Sequence, residues 1–296
     1  MRDIPGTLKQ SLLGGVTTLA RCWRLERRDG VIMGFTDHDR HLSFDGVSYG
    51  AVSGLDAGAI ERSTGLSVDT HTVAGALQSE KISEADIQRG FFDSAEVQLW
   101  LVDWQNVQNR LLLSTGHLGE IRRTETAFEA EIVGLAEQLN QPVGRVYHHR
   151  CDLRLGEARC GIDTDSPEFK GQGVVTEVSG AQRFVASNLD TFTANWFSEG
   201  AIAWTSGANA LSSGQVKTHL INDGLVRLEL WQAPGLKIAV GDSFDIVAGC
   251  DKRSETCRLK FSNFLNFRGF PHMPGDDFAA GYPSGGGHDG GSLLRG

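Results

Sequence analysis

Residues 18–51 read TLARCWRLERRDGVIMGFTDHDRHLSFDGVSYGA, a set of short β-prone runs broken at Asp29-Gly30 and Asp45-Gly46. Asp-Gly between two such runs is the strongest short hairpin signal, because tight primed turns need positive φ, which these residues tolerate. The stretch therefore predicts paired antiparallel strands. Before it, residues 5–13 predict a short helix, with Pro5 near its first turn and Gly14-Gly15 closing it. After it, ISEADIQRGFF (82–92) predicts a helical turn, with Ser83 as N-cap and Gly90 near the end. Asp86 there stands in for the usual Glu of a capping box. AEVQLWLVDW (95–104) reads as a strand with Val97, Leu99 and Leu101 on one face and Trp100, Val102 and Trp104 on the other. Both faces are expected to be covered. RLLLSTGHLGEIRRT and AFEAEIVGL add strands, and GLAEQLNQP (134–142) predicts a short helix stopped by its proline.

A second β series begins near residue 171. GVVTEVSG, QRFVASN, AIAWTSG, GQVKTHLI, LVRLELW and DSFDIVAG follow one another at roughly ten-residue spacing, as in a small barrel or sandwich. Beyond Pro274 the chain becomes AAGYPSGGGHDGGSLLRG, too rich in Gly and too poor in apolar residues to bury much, and a flexible tail is expected.

The chain has 296 residues, 40% of them hydrophobic and 22% charged, which is ordinary for a globular protein that packs a core without disulfides. A net charge of −9 argues against a broad nucleic-acid-binding face, though a local basic patch stays compatible with it. The start, MRDIPGTLKQSLLGG, lacks the basic and apolar regions of a secretion signal, and no apolar run approaches the ~20 residues of a membrane span. A protein made and kept in a reducing cytosol is expected, where paired cysteines are more often metal ligands or redox groups than disulfides.

Four of the five cysteines form two pairs, Cys151/Cys160 with eight residues between them and Cys250/Cys257 with six, and the second β series lies between the pairs. The arrangement suggests a small barrel inserted into a domain whose two ends are clipped together. Four thiolates suit tetrahedral zinc or a [4Fe–4S] cluster. Zinc knuckles usually hold two to four residues between ligands, so the wider gaps favour the larger object. A disulfide within a pair, or four plain buried thiols, are the other readings. Cys22, alone in a strand, reads as a small buried hydrophobe.

Asp37, His38, Asp39 and His41 resemble a metal or acid–base set. Strand alternation would put Asp37 and Asp39 on one face and His38 on the other, and polar residues before a hairpin commonly satisfy loop backbone. A structural role is the favoured reading. His148 and His149 precede the first pair as supporting or surface groups. Arg150, Arg159, Lys252, Arg253 and Arg258 flank the cysteines, where they would either ease burial of a negatively charged cluster or be solvated surface. WTSGANALSSG lacks the lysine and spacing of a phosphate cradle, and no nucleophile elbow, dinucleotide fingerprint or HExxH is present. No enzyme is expected.

CDLRLGEARCGID (151–163) and VGDSFDIVAGCDKRSETCRLKFSNFLNFRGFPHMPGDD (240–277) resemble the C-terminal region of the baseplate hub proteins of siphophage-like tails and gene transfer agents, a family related to tail-tip protein L of lambda-like phages. FTDHDRHLSFDGVSY and SEADIQRGFFDSAEVQLW extend the resemblance over the N-terminal block. The resemblance implies a [4Fe–4S] cluster on Cys151, Cys160, Cys250 and Cys257, with zinc as the alternative. It implies a homotrimer in a virion or gene-transfer-agent tail tip, assembled in the bacterial cytoplasm. The neighbours would be a distal tail protein above, a central fibre or megatron-type receptor-binding protein below, and a tail-associated peptidase, with DNA only as passing cargo. The expected fold is mainly β (β-rich α+β). Residues 1–142 would form the N-terminal β hub domain, 143–170 with 249–275 the cluster domain, 171–248 the inserted barrel and 276–296 the Gly-rich tail. A redox-active iron–sulfur or structural zinc protein without a virion role is the alternative function.

Overall fold

The computed structural model describes residues 4–15, 17–51, 70–74, 83–123, 128–134 and 144–273. The helix expected over 134–142 and the Gly-rich tail lie outside the described residues. No helix among the described residues is long and apolar enough to cross a membrane.

Helix α1 (Gly6–Leu13) starts after Pro5 and is capped by Gly14, with Leu8 fully buried. Strands β1 (Leu19–Glu26), β2 (Ile32–Thr36), β3 (Leu42–Phe44) and β4 (Val47–Ala51) follow. Both residues of the Asp45-Gly46 turn have positive φ (49° and 73°), as a primed two-residue turn requires. After the short strand β5 (Thr70–Ala74), helix α2 (Glu84–Gln88) has the Ser83 side chain accepting from the Asp86 N–H. The Asp86 carboxylate does not act as the expected box partner; it receives Arg27 at 2.9 Å and Arg89 at 3.5 Å. Then come β6 (Glu96–Asp103), β7 (Arg110–Arg123) and β8 (Phe128–Gly134).

These eight strands form one sheet in the order β3-β4-β2-β1-β6-β7-β8-β5. Its neighbours are antiparallel except β2 and β4, which run parallel. The cause is the bend at Asp37–Arg40: the chain crosses to the edge as β3 and returns as β4, so β4 slots between β3 and β2. β6 is covered on both faces, as its composition predicts. Val97 and Leu99 pack with Trp23, Leu25, Phe35 and Phe92, while Val102 and Trp100 pack with Cys22, Phe44 and Tyr49. Arg27 is buried beside the first cluster, held by Asp29 at 2.5 Å and Asp86 at 2.9 Å and lying over the Phe91 ring.

The second β series closes into a barrel. Strands β9 (Lys170–Val178), β10 (Arg183–Ser187), β11 (Ala201–Trp204), β12 (Ser213–Asn222), β13 (Leu225–Leu230) and β14 (Ser243–Val247) pair in the order β10-β13-β12-β11-β14-β9, with β9 and β10 completing the ring. Register shifts at Val185/Ala186 and Val216/Thr218 supply the local bends that closure needs. Alternate residues point inward, and Phe184, Trp204, Leu228, Leu230, Phe244 and Ile246 fill the interior. Gly173 makes room for the Phe244 ring, since a Cβ there would stand 2.4 Å from it. The barrel side meets the N-terminal block where Nε of Arg89, the C-cap of α2, donates to the Ala208 carbonyl at 2.8 Å.

Candidate functional site

The chain enters the barrel at Lys170 and leaves it at Val247, and these two residues are register partners. The segments before and after the barrel are thereby brought side by side, and the cysteine pairs with them. All four cysteines line a single cavity, together with Leu153, Leu155, Ile162, Phe261 and Phe267 on its apolar side and Lys252, Arg253, Asn263 and Asn266 on its polar side. The cavity is narrow. About 20 Å³ admits the centre of a water-sized sphere, within about 360 Å³ of empty space that includes the open mouth.

Short-range geometry aims the thiols. Cys160 closes a turn through its N–H to the Glu157 carbonyl (2.8 Å), and the following Gly161 has φ 73°. Cys257 lies in helix α3 (Ser254–Leu259) and its thiol donates to the Asn263 carbonyl at 3.3 Å. Across the two segments, the Cys151 N–H donates to the Lys252 carbonyl at 2.9 Å and Asn263 Nδ2 to the Cys160 carbonyl at 2.6 Å. Asn263 Nδ2 also approaches Cys160 Sγ at 3.8 Å. Lys252 Nζ reaches the Leu153 carbonyl.

Burial pushes the Cys257 thiol up to about 11, with Cys250, Cys151 and Cys160 adding to the rise. Cys250 is raised by burial too, against the pull of the Lys252 backbone N–H and charge. Burial thus opposes ionisation of Cys250 and Cys257, an effect that positive charge in the cavity would offset. All five cysteines are free thiols in this structure. Among the described residues no three His, Cys, Asp or Glu side chains gather tightly enough for one metal ion. The sulfurs stand around the cavity wall instead. Four soft donors, an apolar lining and nearby side-chain and backbone N–H groups fit a thiolate-ligated cluster.

Behind the cavity a small core of Phe169, Ala248 and Phe261 joins it to the barrel, with Trp196 and Cys250 packed on it. Lys260 lies there, half-buried. Its ammonium donates to the Gly249 carbonyl at 2.7 Å and to the Trp196 carbonyl, and sits 4.8 Å from the Trp196 ring centroid. Burial draws its pKa down to about 8, with Cys250 and Asp251 opposing.

The other candidates fall elsewhere. Cys22 is fully buried beside Thr36, its pKa pushed up to about 11 by burial, in keeping with a small core residue. Strand alternation does not extend over residues 37–41, because β2 ends at Thr36 and the chain bends. Asp37 Oδ1 accepts the Arg21 N–H at 2.7 Å, and His38 Nδ1 accepts the Arg40 N–H at 3.0 Å while its ring lies 5.0 Å from Trp104. His41 and Asp39 are exposed. These residues tie a bend together. His148 Nδ1 accepts the Arg150 N–H at 3.0 Å, and His149 lies 3.4 Å from the Pro271 carbonyl; both are exposed and outside the cavity lining. Of the flanking cations, Lys252 and the exposed Arg253 line the cavity, whereas Arg150, Arg159 and Arg258 are exposed and do not. Asn263 and Lys260 escaped sequence reasoning. Asn263 had a signal in the FSNFLNF stretch, where a polar residue is set among aromatics; Lys260 had none.

A family model described as "Baseplate hub protein, N-terminal attachment domain" matches residues 5–163. A second, described as "Phage conserved hypothetical protein BR0599", matches residues 195–277. Among solved structures, a chain of the "Virion of native gene transfer agent (GTA) particle" superposes with a TM-score of 0.87 at 46% sequence identity, covering 98% of this chain and 100% of that one. No curated protein matches. The attachment-domain model spans the eight-stranded sheet and reaches the first cysteine pair, and the second model spans the second pair. The chain belongs to the baseplate hub proteins, structural components of phage-like virion tails.

Proposed function

We propose that this protein is the tail-tip hub of a gene-transfer-agent-type particle, stapled by a [4Fe–4S] cluster on Cys151, Cys160, Cys250 and Cys257. It assembles as a homotrimer, with the distal tail protein above and the central fibre or megatron-type receptor-binding protein below. A tail-associated peptidase is a further neighbour, and DNA passes through as cargo. The protein itself turns nothing over.

The placement in a tail is supported by the near full-length likeness to a gene-transfer-agent virion chain. The observation that carries the staple is the convergence of all four thiols, from segments on either side of the barrel, on one cavity. The eight- and six-residue gaps within the pairs suit the separated corners of a cluster better than one zinc, whose ligand pairs usually stand two to four residues apart. When bound, the cluster supplies a four-way cross-link. This chain's own residues do the rest: Asn263 and the Lys252 backbone orient the sulfurs, Leu153, Ile162 and Phe261 exclude water, and Lys252 and Arg253 offset negative charge.

The test is iron, acid-labile sulfide and zinc per chain on protein purified without oxygen. About four irons and four sulfides are expected, in line with a cubane. Cys→Ser at each of the four positions should abolish the iron and sulfide and impair particle assembly. One zinc without sulfide would replace the cluster; wild-type assembly of all four variants would remove the staple. Reversible electron transfer to a partner would favour the redox reading instead.

A further inference from the structure

The barrel could be an appendage on a flexible stalk, but its base is tied to the cysteine segment through one half-buried cation. We propose that Lys260 docks the barrel onto the cysteine segment and makes the barrel's basal loop, residues 195–200, responsive to the charge held in the thiol cavity. This rests on the cluster reading of the four cysteines and adds to it.

Lys260 follows α3, three residues after Cys257. Its ammonium bridges two carbonyls, that of Trp196 in the basal loop and that of Gly249, one peptide before Cys250. The rings of Trp196 and Phe261 flank it, with centroids 4.8 and 5.3 Å from Nζ. No carboxylate within ion-pair distance balances this cation among the described residues. Carbonyl oxygens and ring faces offer only partial charges, so a half-buried ammonium there is incompletely compensated. Cys250 and Asp251 are the negative groups that act on it, and thiolates held by a cluster beyond Gly249 would add fixed negative charge. The same point is closed sterically. The Gly249 N–H donates to the Trp196 carbonyl at 2.9 Å, the Ala248 N–H to the Phe169 carbonyl at 2.7 Å, and a Cβ on Gly249 would stand 1.6 Å from the Ser198 carbonyl oxygen. A shift of the cation therefore has to move the loop or the strand exit, because no slack lies between them. From Phe197 in the loop, the contact continues to His219 inside the barrel at 5.1 Å between ring centroids.

The test is amide hydrogen exchange on the full chain, with iron and sulfide measured in the same samples. Lys260→Met that keeps wild-type iron and sulfide should exchange at least about tenfold faster at 196–200 and 248–250, the effect of losing charge-assisted hydrogen bonds, with β13 unchanged. Unchanged exchange in that loaded variant would overturn the proposal. If Lys260→Met does not fold or does not load, wild type is compared before and after chelation under reducing conditions. Faster exchange confined to 196–200 and 248–250 supports the coupling, and equal exchange there refutes it. Wild type that never holds iron or sulfide would defeat the cluster reading and the response to cavity charge alike. Docking by Lys260 would then still be judged by comparing metal-free wild type with metal-free Lys260→Met.

Discussion

His219 offers the sharpest test of the barrel's interior. It is fully buried on β12, edge-on to Phe197, and neither ring nitrogen has a hydrogen-bond partner among the described residues. Burial, helped by the charge of Lys260, lowers its pKa from 6.5 to about 4. The unfolded chain therefore binds a proton below about pH 6.5 that the folded chain refuses until about pH 4. The stability contribution is complete above the unfolded pKa and is lost as pH falls through this window. At 1.36 kcal/mol per unit, the loss from this one residue is about 2 kcal/mol by pH 5 and about 3 kcal/mol by pH 4. His219→Leu, of similar size, removes the titrating group and two unsatisfied buried nitrogens. Urea unfolding followed by tryptophan fluorescence at pH 7, 6 and 5 should show wild type losing about 2 kcal/mol more than the variant over that range. Both chains share every other acid-sensitive group, so the difference isolates His219. Parallel pH profiles would show that water or a shifted ring satisfies the histidine and that the burial argument is wrong.

Other substitutions probe the remaining joints. Arg27→Met strands Asp29 and Asp86 beside the first core cluster, and should cost about 3 kcal/mol in urea unfolding of the chain. Arg27→Lys should recover part of this by restoring charge without the fork. Gly249→Ala forces a methyl against the Ser198 carbonyl and should cost about 3 kcal/mol, with protection falling first at residues 196–200. An alanine there at wild-type stability would mean that the loop and the strand exit have room to part.

Much of this architecture was legible because its signals are local. Asp45-Gly46 marked a primed turn, Ser83 marked a helix start, and alternation in LVRLELW marked a barrel strand. The placing of the cysteine pairs on either side of the barrel was legible for the same reason, as sequence order alone brackets it. What stayed hidden depends on pairing between distant segments. The parallel contact of β2 with β4 follows from a bend that polar residues allow but do not announce. The strand at Thr70–Ala74 is defined by its partner β8. His219 looked like any polar residue in an alternating strand until barrel closure turned it inward. Lys260 sits in a run of charged residues that reads as solvated surface; its partial burial comes with Trp196, which is 64 positions away.

The adjacent ends of the barrel, Lys170 and Val247, also set an order of events during synthesis. All six barrel strands precede Cys250 and Cys257 in the chain and emerge from the ribosome before them, so the barrel can begin to close while the first cysteine pair waits without partners. Once closed, it holds the two flanking segments together and lowers the entropy of bringing the second pair to the first, from a loop of about ninety residues to ten before the barrel and three after it. To the segments that carry the cysteines, a finished barrel acts as a short turn, and a different domain with equally close ends could stand in its place over evolutionary time.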